Sequence, residues 1–128
     1  MWFQEVISSY VSTLNNCPYS YANHWANARH LMADDEKAAK VEAALRAHSP
    51  RDAFEGAELA LLNYAEKLTL SPGKITKEDV DLLKSAGVED GEILEANQII
   101  GYFNYVNRLL NGLGVSTAGD VVGYYQSD

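Results

Sequence analysis

Cys17 is the only cysteine among 128 residues, and three residues that could work with it stand at regular intervals. Ser20 follows it by three positions, His24 by seven, and Glu5 precedes it by twelve. Pro18 suits the first turn of a helix, where a missing N–H costs nothing, so Cys17 falls at the N-cap. Unpaired backbone N–H groups and the helix dipole favour negative charge there, and the thiolate is the reactive form of cysteine. Ser20 and His24, four apart, share one helix face, and side chains lean toward the helix N-terminus. The imidazole therefore points at Ser20 and, beyond it, at Cys17. Seven residues span roughly 10 Å of helix, too far for direct contact, so a Cys17–Ser20–His24 relay or a water is the expected link. Glu5 would complete a carboxylate–imidazole–thiol arrangement by orienting the base. Taken singly, each residue has a bland alternative: a buried small cysteine, a core or surface histidine, a solvated helix carboxylate.

The spacing Glu5…Cys17-Pro18-Tyr19-Ser20-x-x-x-His24 resembles the pattern Glu…Cys-x-x-Cys-x-x-x-His of the alkylhydroperoxidase D (AhpD) and carboxymuconolactone decarboxylase family, with Ser20 in the place of the second cysteine. Residues 57 to 96 and 102 to 115 look like the peroxidase-related branch of that family. The resemblance implies an all-α fold, an AhpD-like orthogonal bundle of about six helices, assembled as a dimer, trimer or hexamer. It also implies Glu5, Cys17, Ser20 and His24 as the catalytic set, a small-molecule hydroperoxide as substrate and an external thiol or dithiol as reductant. In the hydroperoxidases the second cysteine is held to attack the peroxide. Its counterpart here is a hydroxyl, a far weaker nucleophile that cannot form a disulfide. Relatives carry a further helical segment ahead of the position matching Met1.

Three functions remain open on this basis. One is an antioxidant enzyme working through Cys17, whose sulfenate needs an outside thiol because no second cysteine exists. Another is an acid–base enzyme on the same scaffold, a decarboxylase or isomerase using His24 and Glu5. The third is an inactive oligomeric or regulatory member that keeps the fold alone.

The elements that must hold these residues are helices. Phe3, Val6, Ile7, Tyr10, Val11 and Leu14 recur at three- and four-residue spacing, predicting a helix over 2–14 with one apolar stripe. A second helix is expected from Pro18 to about Met32, with Tyr21, Trp25, Ala28 and Leu31 or Met32 inward. Residues 34–48 lead with acids and trail with bases, as a helix dipole favours, and Ser49-Pro50 stops them. A fourth helix is expected over 53–70. Thr76 with Asp79 forms a capping box opening a short fifth helix that Gly87 ends. The last helix starts near Asp90, carries apolar residues from Ile93 to Leu110, and is closed by Gly112 and Gly114. Val121–Tyr125 is the one segment compatible with a strand.

Bulk properties narrow the partners. The length suits one domain over 1–128. Ten Lys and Arg are scattered among eighteen acids, giving a net charge of −8, so neither nucleic acid nor an anionic membrane surface is an expected ligand. A lone cysteine and the absence of an export signal point to the cytoplasm. His24, His30 and His48 lack zinc-ligand spacing, no Gly-rich phosphate loop is present, and neither metal nor cofactor is expected.

Overall fold

In the computed structural model, which describes residues 1–125, every regular element is helical. The order is α1 (Trp2–Leu14), α2 (Pro18–Met32), α3 (Asp35–Arg46), α4 (Gly56–Leu70), α5 (Lys77–Ser85) and α6 (Asp90–Leu113), with single 3₁₀ turns at Pro50–Asp52 and Pro72–Lys74. The expected single domain over 1–128 runs three residues past those described. No described helix is long and apolar enough to cross a membrane.

α1 is the axis of the molecule. It packs on α2, α3, α4 and α6, and its residues from Val6 to Ser12 are all buried. The sequence predicts a single apolar stripe; the structure buries this helix on every side. It can do so because its buried polar residues, Ser8, Ser9 and Ser12, carry hydroxyls that bond back along their own helix, which satisfies them without water. Ser8 donates to the Gln4 carbonyl at 2.9 Å, Ser9 to Glu5 at 2.7 Å and Thr13 to Ser9 at 3.0 Å. Around this axis Val6, Tyr10, Val11, Leu45, Leu62 and Ile100 form the centre of one core.

The punctuation works largely as read. Pro18 occupies the first turn of α2 behind Cys17, and Asp34 caps α3 by accepting from the Lys37 N–H at 3.0 Å. The Asp79 carboxylate accepts from the Thr76 N–H at 2.8 Å, and Lys67 grips the same carboxylate at 2.8 Å, tying α5 to α4. Three boundaries move. α3 stops at Arg46 because His48 turns into the left-handed region, with φ 53°. α4 starts only at Gly56, after the 3₁₀ turn opened by Pro50. Gly112 lies inside α6, and Gly114 alone ends it, with φ 67°.

Residues 121–125 form no strand. They run against α2 instead. The Gly123 N–H donates to Asn23 Oδ1 at 2.9 Å and the Tyr124 N–H to Asn27 Oδ1 at 2.7 Å. Gly123 sits at φ 88°, and a Cβ there would meet Ala26 Cβ at 3.0 Å, so both its conformation and its close approach call for glycine.

Candidate active site

α1 and α2 are antiparallel neighbours joined by the Asn15–Cys17 turn, so Glu5 near the start of one helix returns opposite His24 on the other. His24 Nδ1 lies 2.7 Å from Glu5 Oε2. Both side chains are mostly enclosed, 14% and 21% exposed. A carboxylate at Nδ1 keeps a proton on that nitrogen and leaves Nε2 as the free position for accepting or donating one. Phe103 of α6 stands edge-on to the imidazole, with ring centroids 4.5 Å apart, and Tyr124 from the tail flanks it at 6.1 Å. Nothing in the local spacing singles out these two aromatics as neighbours of His24. Both arrive from the far end of the chain.

Ser20 is buried and points elsewhere. Its Oγ is 2.8 Å from Ser12 Oγ on α1. Ser12 is also 2.8 Å from the Ser8 carbonyl and accepts from Asn107 Nδ2 at 3.2 Å. Ser12 has one proton and a carbonyl can only accept, so the Ser12 proton goes to Ser8 and the Ser20 proton completes the bond to Ser12. The hydrogen bonds at this turn thus run Ser20–Ser12–Asn107. They do not run Cys17–Ser20–His24, the relay expected from spacing. The reason is tertiary: α1 and α6 bring polar partners to the Ser20 side of α2.

Asn107 belongs to a longer polar seam. Asn15 Nδ2 reaches Asn107 Oδ1 at 3.1 Å and Asn104 Oδ1 at 2.9 Å, and Asn111 Nδ2 reaches the Asn15 carbonyl at 3.1 Å. The signal for it was in the sequence. Asn104, Asn107 and Asn111 recur at three and four along the last helix, which marks a shared polar face.

Cys17 begins α2 with φ −111° and ψ 87°, and its own N–H donates to the Ser12 carbonyl at 2.8 Å. Its thiol makes no hydrogen bond within the described residues, and the residue is 1% exposed. It forms part of the wall of a cavity of about 440 Å³, together with Ser12, Tyr21, Trp25, Arg46 and Thr117. His24 is not in that wall. The four sequence-predicted residues therefore divide: Glu5 and His24 form a hydrogen-bonded pair, Ser20 joins the buried polar seam, and Cys17 opens on a separate cavity. Among the described residues no three His, Cys, Asp or Glu side chains come together as a metal site.

Burial and the Glu42 carboxylate hold the Tyr21 phenol above its ordinary pKa, so it stays protonated and donates to Glu42 Oε2 at 3.0 Å. Burial and Glu66 act the same way on Tyr10, whose hydroxyl lies 3.1 Å from Glu66 Oε2.

No protein-family model matches the chain, and no curated protein matches its sequence. Among solved structures it is similar to an uncharacterized peroxidase-related protein from Silicibacter sp. TM1040, at 25% identity and a TM-score of 0.77. The superposition covers 90% of this chain and 58% of that one. The fold is that of a peroxidase-related protein. This agrees with the AhpD-like helical bundle implied by the Glu5-to-His24 spacing. The chain spans little more than half of that neighbour, so the neighbour's printed description applies to a longer protein.

Proposed function

We propose that this chain is a one-cysteine relative of the alkylhydroperoxidase D proteins that reduces hydroperoxides through Cys17. The observation that supports the reading is the Glu5–His24 pair. A hydrogen bond of 2.7 Å between residues nineteen apart joins the two ends of the Glu…Cys-x-x-Ser-x-x-x-His pattern on a peroxidase-related fold. The Cys17 thiolate would take the terminal oxygen of the hydroperoxide, giving a sulfenate and, after protonation, the alcohol. One outside thiol would then condense with the sulfenic acid, releasing water and leaving a mixed disulfide. A second would return Cys17 to the thiol and leave as half of an external disulfide. The two thiols supply the two electrons each peroxide takes, and the first must come from outside because the chain has no second cysteine to resolve the sulfenic acid.

A second reading has an observation of its own. Glu5 and His24 are assembled without any hydrogen bond to Cys17 or Ser20, which is what an acid–base enzyme of the carboxymuconolactone decarboxylase type would need. A homo-oligomer accompanies either reading. Leu94, Tyr102, Tyr105, Leu109 and Leu113 are exposed along one side of α6. Such a run of exposed apolar and aromatic side chains is a surface that two copies can share.

The test compares the unmodified chain with Cys17→Ser, His24→Ala and Ser20→Cys in hydroperoxide consumption with a dithiol reductant. The redox reading expects slow turnover that Cys17→Ser abolishes. It also expects a rise of orders of magnitude in Ser20→Cys, which places a thiol four residues from His24 and a resolving Cys17 beside it. Consumption that survives Cys17→Ser, or a Ser20→Cys disulfide that forms but never turns over peroxide, moves the assignment to the acid–base reading.

A further inference from the structure

The cavity beside Cys17 differs from the other four cavities described in having a cation and no carboxylate in its wall. Each of those has at least one carboxylate in its wall: Asp35 in two of them, Asp79 in a third, and Glu92 with Glu95 in the fourth. The Cys17 cavity has none, although the chain carries eighteen acids. Its one charged residue is Arg46.

Arg46 is arranged to receive an anion. Its guanidinium carbon lies 4.4 Å from the centroid of the Tyr21 ring, stacked on the aromatic face. Stacking holds the group flat, and it has no carboxylate within ion-pairing distance among the described residues. The nearest candidate acid, Glu42 one turn back, is engaged by the Tyr21 hydroxyl at 3.0 Å. Behind Tyr21 the Trp25 ring lies nearly parallel, at 11° with centroids 6.3 Å apart, so the cavity offers a flat apolar wall next to a cation. Thr117 adds a hydroxyl to the same wall. A volume of about 440 Å³ is that of a small-molecule site.

We propose that this cavity binds small organic anions with a flat apolar body, the carboxylate paired with Arg46 and the body laid against Tyr21 and Trp25. A guanidinium fork pairs with a carboxylate through two parallel N–H bonds, whereas a neutral alcohol offers no such partner. Where the redox reading of Cys17 also holds, the preferred substrates are hydroperoxides that carry a carboxylate rather than hydrogen peroxide itself. The binding claim rests on the cavity alone.

The experiment is calorimetric titration of the full chain with phenylpropionate, and with phenylpropanol as its neutral counterpart. The acid should bind at least about tenfold more tightly than the alcohol. Arg46→Gln should remove that difference, and Arg46→Lys, which keeps the charge but not the flat fork, should retain only part of it. Arg46 is exposed, so these variants leave the core intact, and circular dichroism checks that they do. Bound phenylpropionate should also slow alkylation of Cys17 by iodoacetamide in the unmodified chain but not in Arg46→Gln. Equal binding of acid and alcohol, undiminished acid binding in Arg46→Gln, no acid binding at millimolar concentration, or binding that leaves Cys17 alkylation unchanged would each overturn the proposal. None of these outcomes bears on whether Cys17 reduces a peroxide, and absence of turnover with a well-bound acid hydroperoxide would count against the redox reading alone.

Discussion

His24 Nδ1 and Glu5 Oε2 lie 2.7 Å apart, bridging the first two helices. The pair sits away from the surface, with Phe103 edge-on to the imidazole. A carboxylate held against Nδ1 fixes both the ring orientation and the nitrogen that remains free. Under the proposed catalytic role of this pair, His24→Ala should lower activity by about 100-fold or more, as expected for a general base. Glu5→Gln keeps a hydrogen-bond acceptor but removes the charge, and a smaller loss of about tenfold is expected. Nitrogen-15 NMR of the unmodified imidazole should show the proton on Nδ1. A neutral ring protonated on Nε2 would refute the assigned roles.

The Ser20–Ser12–Asn107 seam predicts stability effects that differ from the catalytic ones. Ser20→Ala removes one buried hydrogen bond and should cost about 1 kcal/mol in urea unfolding. Asn107→Ala leaves Ser12 without its Nδ2 partner and Asn15 without one of its two acceptors, and should cost more, about 2–3 kcal/mol. An Asn107→Ala chain as stable as the unmodified one would show the seam to be incidental. Ser20→Cys should itself lower stability slightly, since a thiol is a weak donor to Ser12.

The tail is held on α2 by two asparagine side chains and by the fit of Gly123 over Ala26. Gly123→Ala brings a Cβ to within 3.0 Å of Ala26 Cβ and 3.1 Å of Asn27 Oδ1, at a φ of 88° that alanine resists. The expected result is release of the tail, read as amide exchange at Tyr124 at least about tenfold faster, with helical content unchanged. Unchanged exchange would mean that the tail does not depend on this contact.

Asp79 gives the acid limb of stability a definite sign. Its hydrogen bond from Lys67, and then that from the Thr76 N–H, hold its carboxyl below the ordinary range in the folded chain. A carboxyl whose pKa is lower folded than unfolded stabilises the fold above its unfolded value, near pH 4, and that contribution is lost as pH falls through the folded one. Unfolding midpoints measured between pH 6 and pH 2 should fall less steeply for Asp79→Asn than for the unmodified chain. Parallel curves would remove Asp79 from the account.

The exposed side of α6 predicts assembly. Light scattering at micromolar concentration should give a mass that is a multiple of 14.1 kDa, and Tyr105→Glu with Leu109→Glu should return it to the monomer. A stable 14.1 kDa species in the unmodified chain would contradict the oligomer.

What the sequence by itself determined is what local physics can determine. Apolar residues at helical spacing, Pro18 behind Cys17, Asp34 before α3 and the Thr76–Asp79 box each act within one or two turns of chain. They placed six helices and put Ser20 and His24 one turn apart on α2. The pairing of Glu5 with His24 was legible only through the resemblance, because periodicity does not say which way a charged residue on a helix faces. What the tertiary structure alone decided was the other side of each contact. Ser20 bonds to Ser12 because α1 and α6 meet α2 on that side, and Cys17 faces a cavity with Arg46 because α3 returns there. Phe103 and Tyr124 reach His24 across 79 and 100 residues. No helical spacing encodes such contacts. They follow from how six helices share one core, where each buried polar group takes whichever partner the packing brings within reach.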